Sequence, residues 1–101
     1  MAEIRFAEID NRLNVAIMGD LDNTSVAEVE RMMAPVFNRD DVDLVLNCER
    51  LNYISSRGLR LLITLYKHQR DNGMKAFITK MNENVREALD IGGFLQLYQE
   101  I

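Results

Sequence analysis

Apolar residues recur at every second position over residues 4–8 (IRFAE) and 12–18 (RLNVAIM), where Ile4 and Phe6, then Leu13, Val15 and Ile17, define one face of each segment. Asp10 and Asn11 between them tolerate left-handed turn conformations, so the opening reads as a β-hairpin. The loop Gly19-Asp20-Leu21-Asp22-Asn23 follows. Thr24 or Ser25 can then cap a helix over about residues 25–38, whose Val26, Val29, Met33, Val36 and Phe37 keep helical spacing. Pro35 removes a backbone donor inside that helix and predicts a bend.

Residues 42–47 (VDLVLN) are a short apolar run of the kind that forms a parallel strand covered on both faces, with Cys48 at its end. From Ser56 to Gln69 the helical period returns. Leu59, Leu62, Ile63 and Tyr66 stand at i, i+3, i+4 and i+7, a stripe suited to packing on a sheet. Leu61 and Leu65 widen that stripe, either as an exposed rim for a partner or as residues buried between neighbouring helices. Asp71-Asn72-Gly73 ends the helix, and residues 74–79 (MKAFIT) read as a strand. Asn82 or Asn84 opens a short helix carrying Val85, Ala88 and Leu89, Gly92-Gly93 stops it, and Phe94, Leu95, Leu97 and Tyr98 are expected to form a last short strand. A hairpin followed by alternating helix and strand is α/β, with a mixed, mostly parallel β-sheet covered by helices.

Length and composition narrow this picture. A chain of 101 residues supports one hydrophobic core, so residues 1–101 are expected to be a single domain. Its 48% hydrophobic and 28% charged residues are globular in composition. The single cysteine, Cys48, cannot form an internal disulfide, the opening residues lack a secretion-signal pattern, and no apolar run approaches the roughly 20 residues of a membrane span. A soluble, cytoplasmic protein is expected. Sixteen acids against twelve bases give a net charge of -4, which disfavours a grip on nucleic acid and points to a protein partner.

Candidate chemistry is sparse. Asp20 and Asp22 are the close carboxylate pair of one loop, too few oxygen ligands for a metal site, so capping and loop shaping are favoured over partner contact. His68 is the only histidine, which excludes a triad or a zinc cluster built on several imidazoles, and it reads as a solvated helix residue. Cys48 reads as packed rather than reactive. No Gly-x-Gly-x-x-Gly or phosphate-loop pattern occurs, and the six methionines read as core filling. No catalytic constellation, cofactor site or metal site is expected, and the chain does not read as an enzyme.

What remains is the junction LNYISSRGLRLL at residues 51–62, with Ser55 and Ser56 where the strongest helix begins. Serine hydroxyls satisfy the free N–H groups of a helix start, so a cap is the plain reading. Other details pull away from it. Gly58 sits in the first turn, where glycine costs roughly 0.5–1 kcal/mol against alanine, for close approach of a partner or for tight packing on the sheet. Arg57 and Arg60 place positive charge at the positive end of the helix dipole, which is unfavourable unless an anion visits or they point into solvent.

Leu51-Asn52-Tyr53-Ile54-Ser55-Ser56-Arg57-Gly58-Leu59-Arg60 resembles the signature of STAS domains, the anti-sigma factor antagonists. Gly19-Asp20-Leu21-Asp22 resembles that family's Gly-Glu-Leu-Asp loop, and Val85-Arg86-Glu87-Ala88-Leu89 with Gly92-Gly93-Phe94 resembles its late helix and glycine turn. Together, in order, these motifs span nearly the whole chain. The resemblance implies a STAS-like fold and a protein-binding module of a partner-switching cascade. Ser56 would be the residue phosphorylated by a serine kinase that is also the anti-sigma factor, and a phosphatase would reverse the step. It also implies that Asp20, Asp22, Ser55, Arg57, Gly58 and Arg60 form or shape the partner-binding surface. Two positions depart from the pattern: Ser55 stands where an aspartate is common, and Arg57 where a small residue is usual. Arg57 can pair with a phosphate on Ser56, pair with an acidic partner, or point into solvent.

Two other readings compete. One is a constitutive STAS adaptor, for example beside a transport ATPase, in which Ser56 only caps. The other is a small α/β enzyme or phosphoacceptor receiver, which needs an acidic cluster at strand ends where this chain has Asn47, Cys48 and Glu49.

Overall fold

A computed structural model describes residues 2–101; Met1, the first residue of the expected domain range, lies outside the described residues. Strands β1 (Ala2–Ile9) and β2 (Arg12–Leu21) pair antiparallel, with Ile4 opposite Ile17 and Phe6 opposite Val15. Asp10 and Asn11 turn the hairpin at φ 54° and 63°, the left-handed geometry that matches the twist of the two strands. The chain continues through α1 (Val26–Met32), α2 (Ala34–Phe37), β3 (Asp43–Asn47), β4 (Leu51–Ile54), α3 (Ser56–Asp71), β5 (Ala76–Thr79), α4 (Glu83–Ile91) and β6 (Gln99–Glu100). The described strands form one mixed sheet in the order β1-β2-β3-β5-β6, parallel everywhere beyond the hairpin.

Strand β2 is long enough to pair with two parallel strands in succession. Arg12–Ala16 pairs with β3 and Gly19–Leu21 with β4, and the register shifts between Gly19 and Asp20, where Gly19 adopts φ 92°. The extra residue lies on the partner strand: Asn52 of β4 falls between Leu51, opposite Gly19, and Tyr53, opposite Asp20. The core lies between the sheet and its helices and includes Val15, Ile17, Leu21, Leu44, Leu46, Leu51, Leu62, Leu65, Ile78 and Leu89. Each fully buried aliphatic side chain of this kind contributes about 1.5–3 kcal/mol relative to exposure.

The α/β class, the hairpin and the order of elements expected from the sequence are present, with several corrections. The helix expected over 25–38 is two helices that meet at Met33. Pro35 occupies the first turn of the second, where its missing N–H costs nothing. Leu51–Ile54, not anticipated as a strand of its own, is one whose ends are buried and whose middle residues, Asn52 and Tyr53, are exposed. Residues 94–98 do not form the last strand. They run in turns closed by bonds from Phe94 and Leu95 N–H to Leu89 O, and β6 begins only at Gln99.

The buried face of α3 also differs. It runs through Gly58, Leu61, Leu62, Leu65 and Gln69, while Leu59, Ile63 and Tyr66 are half-buried. Leu61 and Leu65 are therefore core residues and not an exposed rim. Gln69 belongs to that face because its amide nitrogen donates to Val42 O at 2.9 Å and to Lys75 O at 3.0 Å, tying α3 to the starts of β3 and β5. His68 is half-buried rather than solvated: Nε2 lies 2.7 Å from Arg39 O and the ring stands edge-on to Phe37.

Candidate functional site

The β4–α3 junction and the β2–α1 loop meet at the carboxyl end of β2. Ser55 N–H donates to Leu21 O at 2.9 Å, which fixes the start of α3 on the last residue of β2. The two adjacent serines then divide the work. Ser55 is the N-cap, in extended backbone, and its hydroxyl oxygen accepts from Gly58 N–H at 3.2 Å. Ser56 is the first helical residue and is exposed, and among the described residues no hydrogen bond engages its hydroxyl. Leu59 N–H is bonded to Ser55 O, so the N–H groups of Ser56 and Arg57 are the ones left without helical partners.

Gly58 owes its identity to packing. A Cβ there would lie 2.9 Å from Leu21 O, from Leu21 Cγ and from Ile54 Cγ1, closer than real side chains come. Of the two readings of that glycine, tight packing on the sheet is the one realised. Gly58 is buried and Ser55 is 8% exposed, so neither presents a side chain to a partner. They support the corner from beneath, so that of forming its surface or shaping it they do the second.

The facing loop is shaped by Asp22. Its Oδ1 accepts from Thr24 N–H at 2.9 Å, Thr24 Oγ1 at 2.7 Å and Ser25 N–H at 3.0 Å. Those bonds, led by the Thr24 hydroxyl, hold its carboxyl below the usual aspartate range. Ser25 occupies the N-cap of α1, yet its hydroxyl turns back to donate to Asp20 O at 2.8 Å and accept from Asp22 N–H at 3.0 Å. Asp22 is thus committed within the loop, whereas among the described residues no hydrogen bond or ion pair engages the half-buried Asp20 carboxylate. Asp20 lies beside Tyr53 in the β2–β4 register.

Arg57 and Arg60 are both exposed, and among the described residues neither joins an ion pair. Arg57 reaches across to Asn23 O at 3.4 Å, a long contact that bridges the junction and the loop. With Val26, Glu30, Leu61 and Thr64 the two arginines line a shallow pocket of about 160 Å³ between α1 and α3. Tyr53 and Ile54, which precede the two serines, line a separate open groove between β4 and α4 with Asn84, Glu87, Ala88 and Ile91. Tyr53 there is 52% exposed and Ile91 79%. Sequence reasoning missed Tyr53, Ile91, Glu30 and Thr64, because Tyr53 and Ile91 come together only through the packing of α4 on β4, and Glu30 and Thr64 only through that of α1 on α3.

The carboxyl end of β3 carries no cluster of acids. Asn47 Oδ1 accepts from Glu49 N–H, and Cys48 is fully buried, with burial pushing its thiol up to about 12. Among the described residues no group of three or more histidine, cysteine, aspartate or glutamate side chains is placed to hold a metal ion, and no helix is long and apolar enough to cross a membrane.

The chain matches the family model described as STAS domain over residues 3–101. It is 29% identical over 91 residues to BtrV of Bordetella bronchiseptica, whose name places it among the anti-sigma factor antagonists; the match covers 90% of this chain and 78% of that protein. The fold superposes on an anti-sigma factor antagonist from Mycobacterium paratuberculosis with a TM-score of 0.88 at 15% identity, covering 99% of this chain and 85% of the other. It also superposes on the Bacillus cell fate determinant SpoIIAA in its phosphorylated form, with a TM-score of 0.72 at 14% identity, covering 100% and 91%.

Proposed function

Since this chain belongs to the STAS domain family, we propose that it is an anti-sigma factor antagonist whose docking corner is switched by phosphate on Ser56. The observation that carries the reading is the division of labour at the junction: Ser55 makes the cap, leaving the Ser56 hydroxyl exposed and unengaged. A hydroxyl needed to hold the helix would be a poor acceptor, because modifying it would cost stability. This one is free of that duty.

In the proposed cycle the unmodified chain binds an anti-sigma factor that is also a serine kinase. Asp20, the loop shaped by Asp22, Arg57 and Arg60 meet the partner, while Ser55 and Gly58 hold the corner in shape. The kinase transfers the terminal phosphoryl group of ATP to Ser56 Oγ, ADP departs and the hydroxyl proton is lost. The product carries about -1.5 to -2 charge near neutral pH. Its oxygens can take the free N–H groups of Ser56 and Arg57, so the fold tolerates it, whereas a docked partner faces a dianion at the interface. A phosphatase returns the hydroxyl by hydrolysis, releasing inorganic phosphate. The chain itself acts as a single cytoplasmic domain, performs no catalysis, holds no cofactor and binds neither nucleic acid nor membrane.

The deciding experiment incubates the protein with ATP and a cognate serine kinase, then maps phosphate by mass spectrometry. Label at Ser56, lost in Ser56→Ala, is the expected result. Label elsewhere, or undiminished in that variant, defeats the switch and leaves the constitutive adaptor.

A further inference from the structure

Resting on that reading of Ser56, we infer that the phosphate is captured by Arg60 of the same chain, so that modification works by discharging the α1–α3 pocket.

The argument begins with helix geometry. Residues four apart on a helix face each other with about 5–6 Å between their Cβ atoms, so Arg60 stands one turn below Ser56 on the exposed side of α3. Arg57, at i+1, points away toward Asn23 of the β2–α1 loop. A phosphate dianion offers three acceptor oxygens, and a guanidinium is the side chain whose planar fork matches them with two donors at once. Arg60 is available for this: it is exposed and, among the described residues, in no ion pair, even though Glu30 lines the same pocket.

Charge arithmetic gives the consequence. Two arginines against Glu30 leave the unmodified pocket with one net positive charge on a protein whose net charge is -4. The exposed guanidinium of Arg60 suits an acidic group on a partner. A phosphate of about -1.5 to -2 beside it removes that positive charge and turns the sum negative. The same event that places a dianion on Ser56 therefore withdraws the guanidinium such a partner would use. A chain with small residues at 57 and 60 would have repulsion alone.

The test needs no kinase. Phosphoserine is inserted at position 56 by genetic code expansion into the otherwise native chain, into Arg60→Gln and into Lys67→Gln, an exposed cation two turns further along. The second ionisation of the phosphate is followed by ³¹P NMR, with circular dichroism as the check of folding. Capture predicts that the phosphate titrates roughly half a pH unit lower in the native chain than in Arg60→Gln. It also predicts that Lys67→Gln matches the native chain, that Arg60→Lys recovers part of the difference, and that about 1 M salt erases most of it. Equal midpoints in the native and Arg60→Gln chains, or an equal change in Lys67→Gln, overturn it. Equal midpoints would leave Ser56 standing as a phosphorylation site, whereas a kinase that labels another residue would defeat the proposed function without touching this measurement.

Discussion

Helices α3 and α4 begin alike and are charged differently. Each follows a parallel strand, and each is capped by a side chain that accepts the backbone N–H three residues on: Ser55 from Gly58, Asn82 from Val85 at 2.8 Å. At α4 the cap also anchors the helix to the sheet, since Asn82 Nδ2 donates to Leu51 O at 2.9 Å, and Glu83 supplies the negative charge that a helix start favours. At α3 no acid stands in the first turn, two arginines stand near it, and a free hydroxyl occupies the first helical position. One helix start is electrostatically complete and the other lacks an anion. The incomplete one is where charge can be added, and removed, with the smallest effect on the fold.

The residue at the third helical position is the first place to break the comparison. It is the buried Val85 in α4 and Gly58 in α3. Alanine at both sites should destabilise for opposite reasons: Gly58→Ala by about 1–3 kcal/mol through overpacking against Leu21 and Ile54, and Val85→Ala by about 2 kcal/mol through a cavity. Urea unfolding would show both losses. A neutral Gly58→Ala would break the packing account.

The caps come next. Asn82→Ala removes both the cap and the bond to Leu51 O and should cost about 2 kcal/mol. Ser55→Ala removes the cap alone and should cost about 1 kcal/mol. Equal losses in chemical denaturation would mean that the tie to β4 contributes nothing.

A smaller effect sharpens the charge contrast. Ser56→Asp should stabilise the unbound protein by about 0.3–1 kcal/mol at low ionic strength, and Glu83→Gln should lose a similar amount. Both differences should fade with salt in melts at 10 mM and 500 mM sodium chloride. Destabilisation by Ser56→Asp would contradict an anion-seeking start.

The smallest expected effect concerns the neighbouring loop and pH. The carboxyl of Asp22 is depressed chiefly by the Thr24 hydroxyl bond, with the Thr24 and Ser25 N–H bonds adding to it, so its folded form favours the anion. That contribution is present above the ordinary aspartate pKa and is lost as pH falls through the depressed folded value. Between neutral pH and about pH 3, Asp22→Asn should therefore lose less stability than the native chain. Glu8 and Asp41, both held low by Arg39, contribute equally to the two proteins and cancel in the difference.

The sequence carried the hairpin, the buried β3 and the two capped helices because their periods and cap residues are local signals. It did not carry β4, in which Leu51 and Ile54 are buried with two exposed residues between them, a pattern of neither period. The core face of α3 was also hidden, since two of its buried members, Gly58 and Gln69, are not hydrophobic markers and owe their places to Leu21 and to carbonyls on other strands. At the site, two adjacent serines are indistinguishable by composition. Only the extended backbone of Ser55, set by its bond to Leu21, determines which one caps. The motif resemblance pointed to Ser56, and what leaves that hydroxyl outside the cap is a tertiary bond made by its neighbour.

The pairing of β2 with β3 and then β4 along one strand bears on how the corner breathes. Asp20 and Leu21 belong to the same strand as the buried Val15 and Ile17, and the Ser55 amide is bonded to its last carbonyl. Slow deuterium uptake at Leu21 and Ser55 should therefore track global unfolding rather than local fraying, with the amides of Ser56 and Arg57 exchanging quickly beside them. A rapidly labelled pair of amides would sit directly against a strongly protected one, and the boundary would fall between residues 55 and 56.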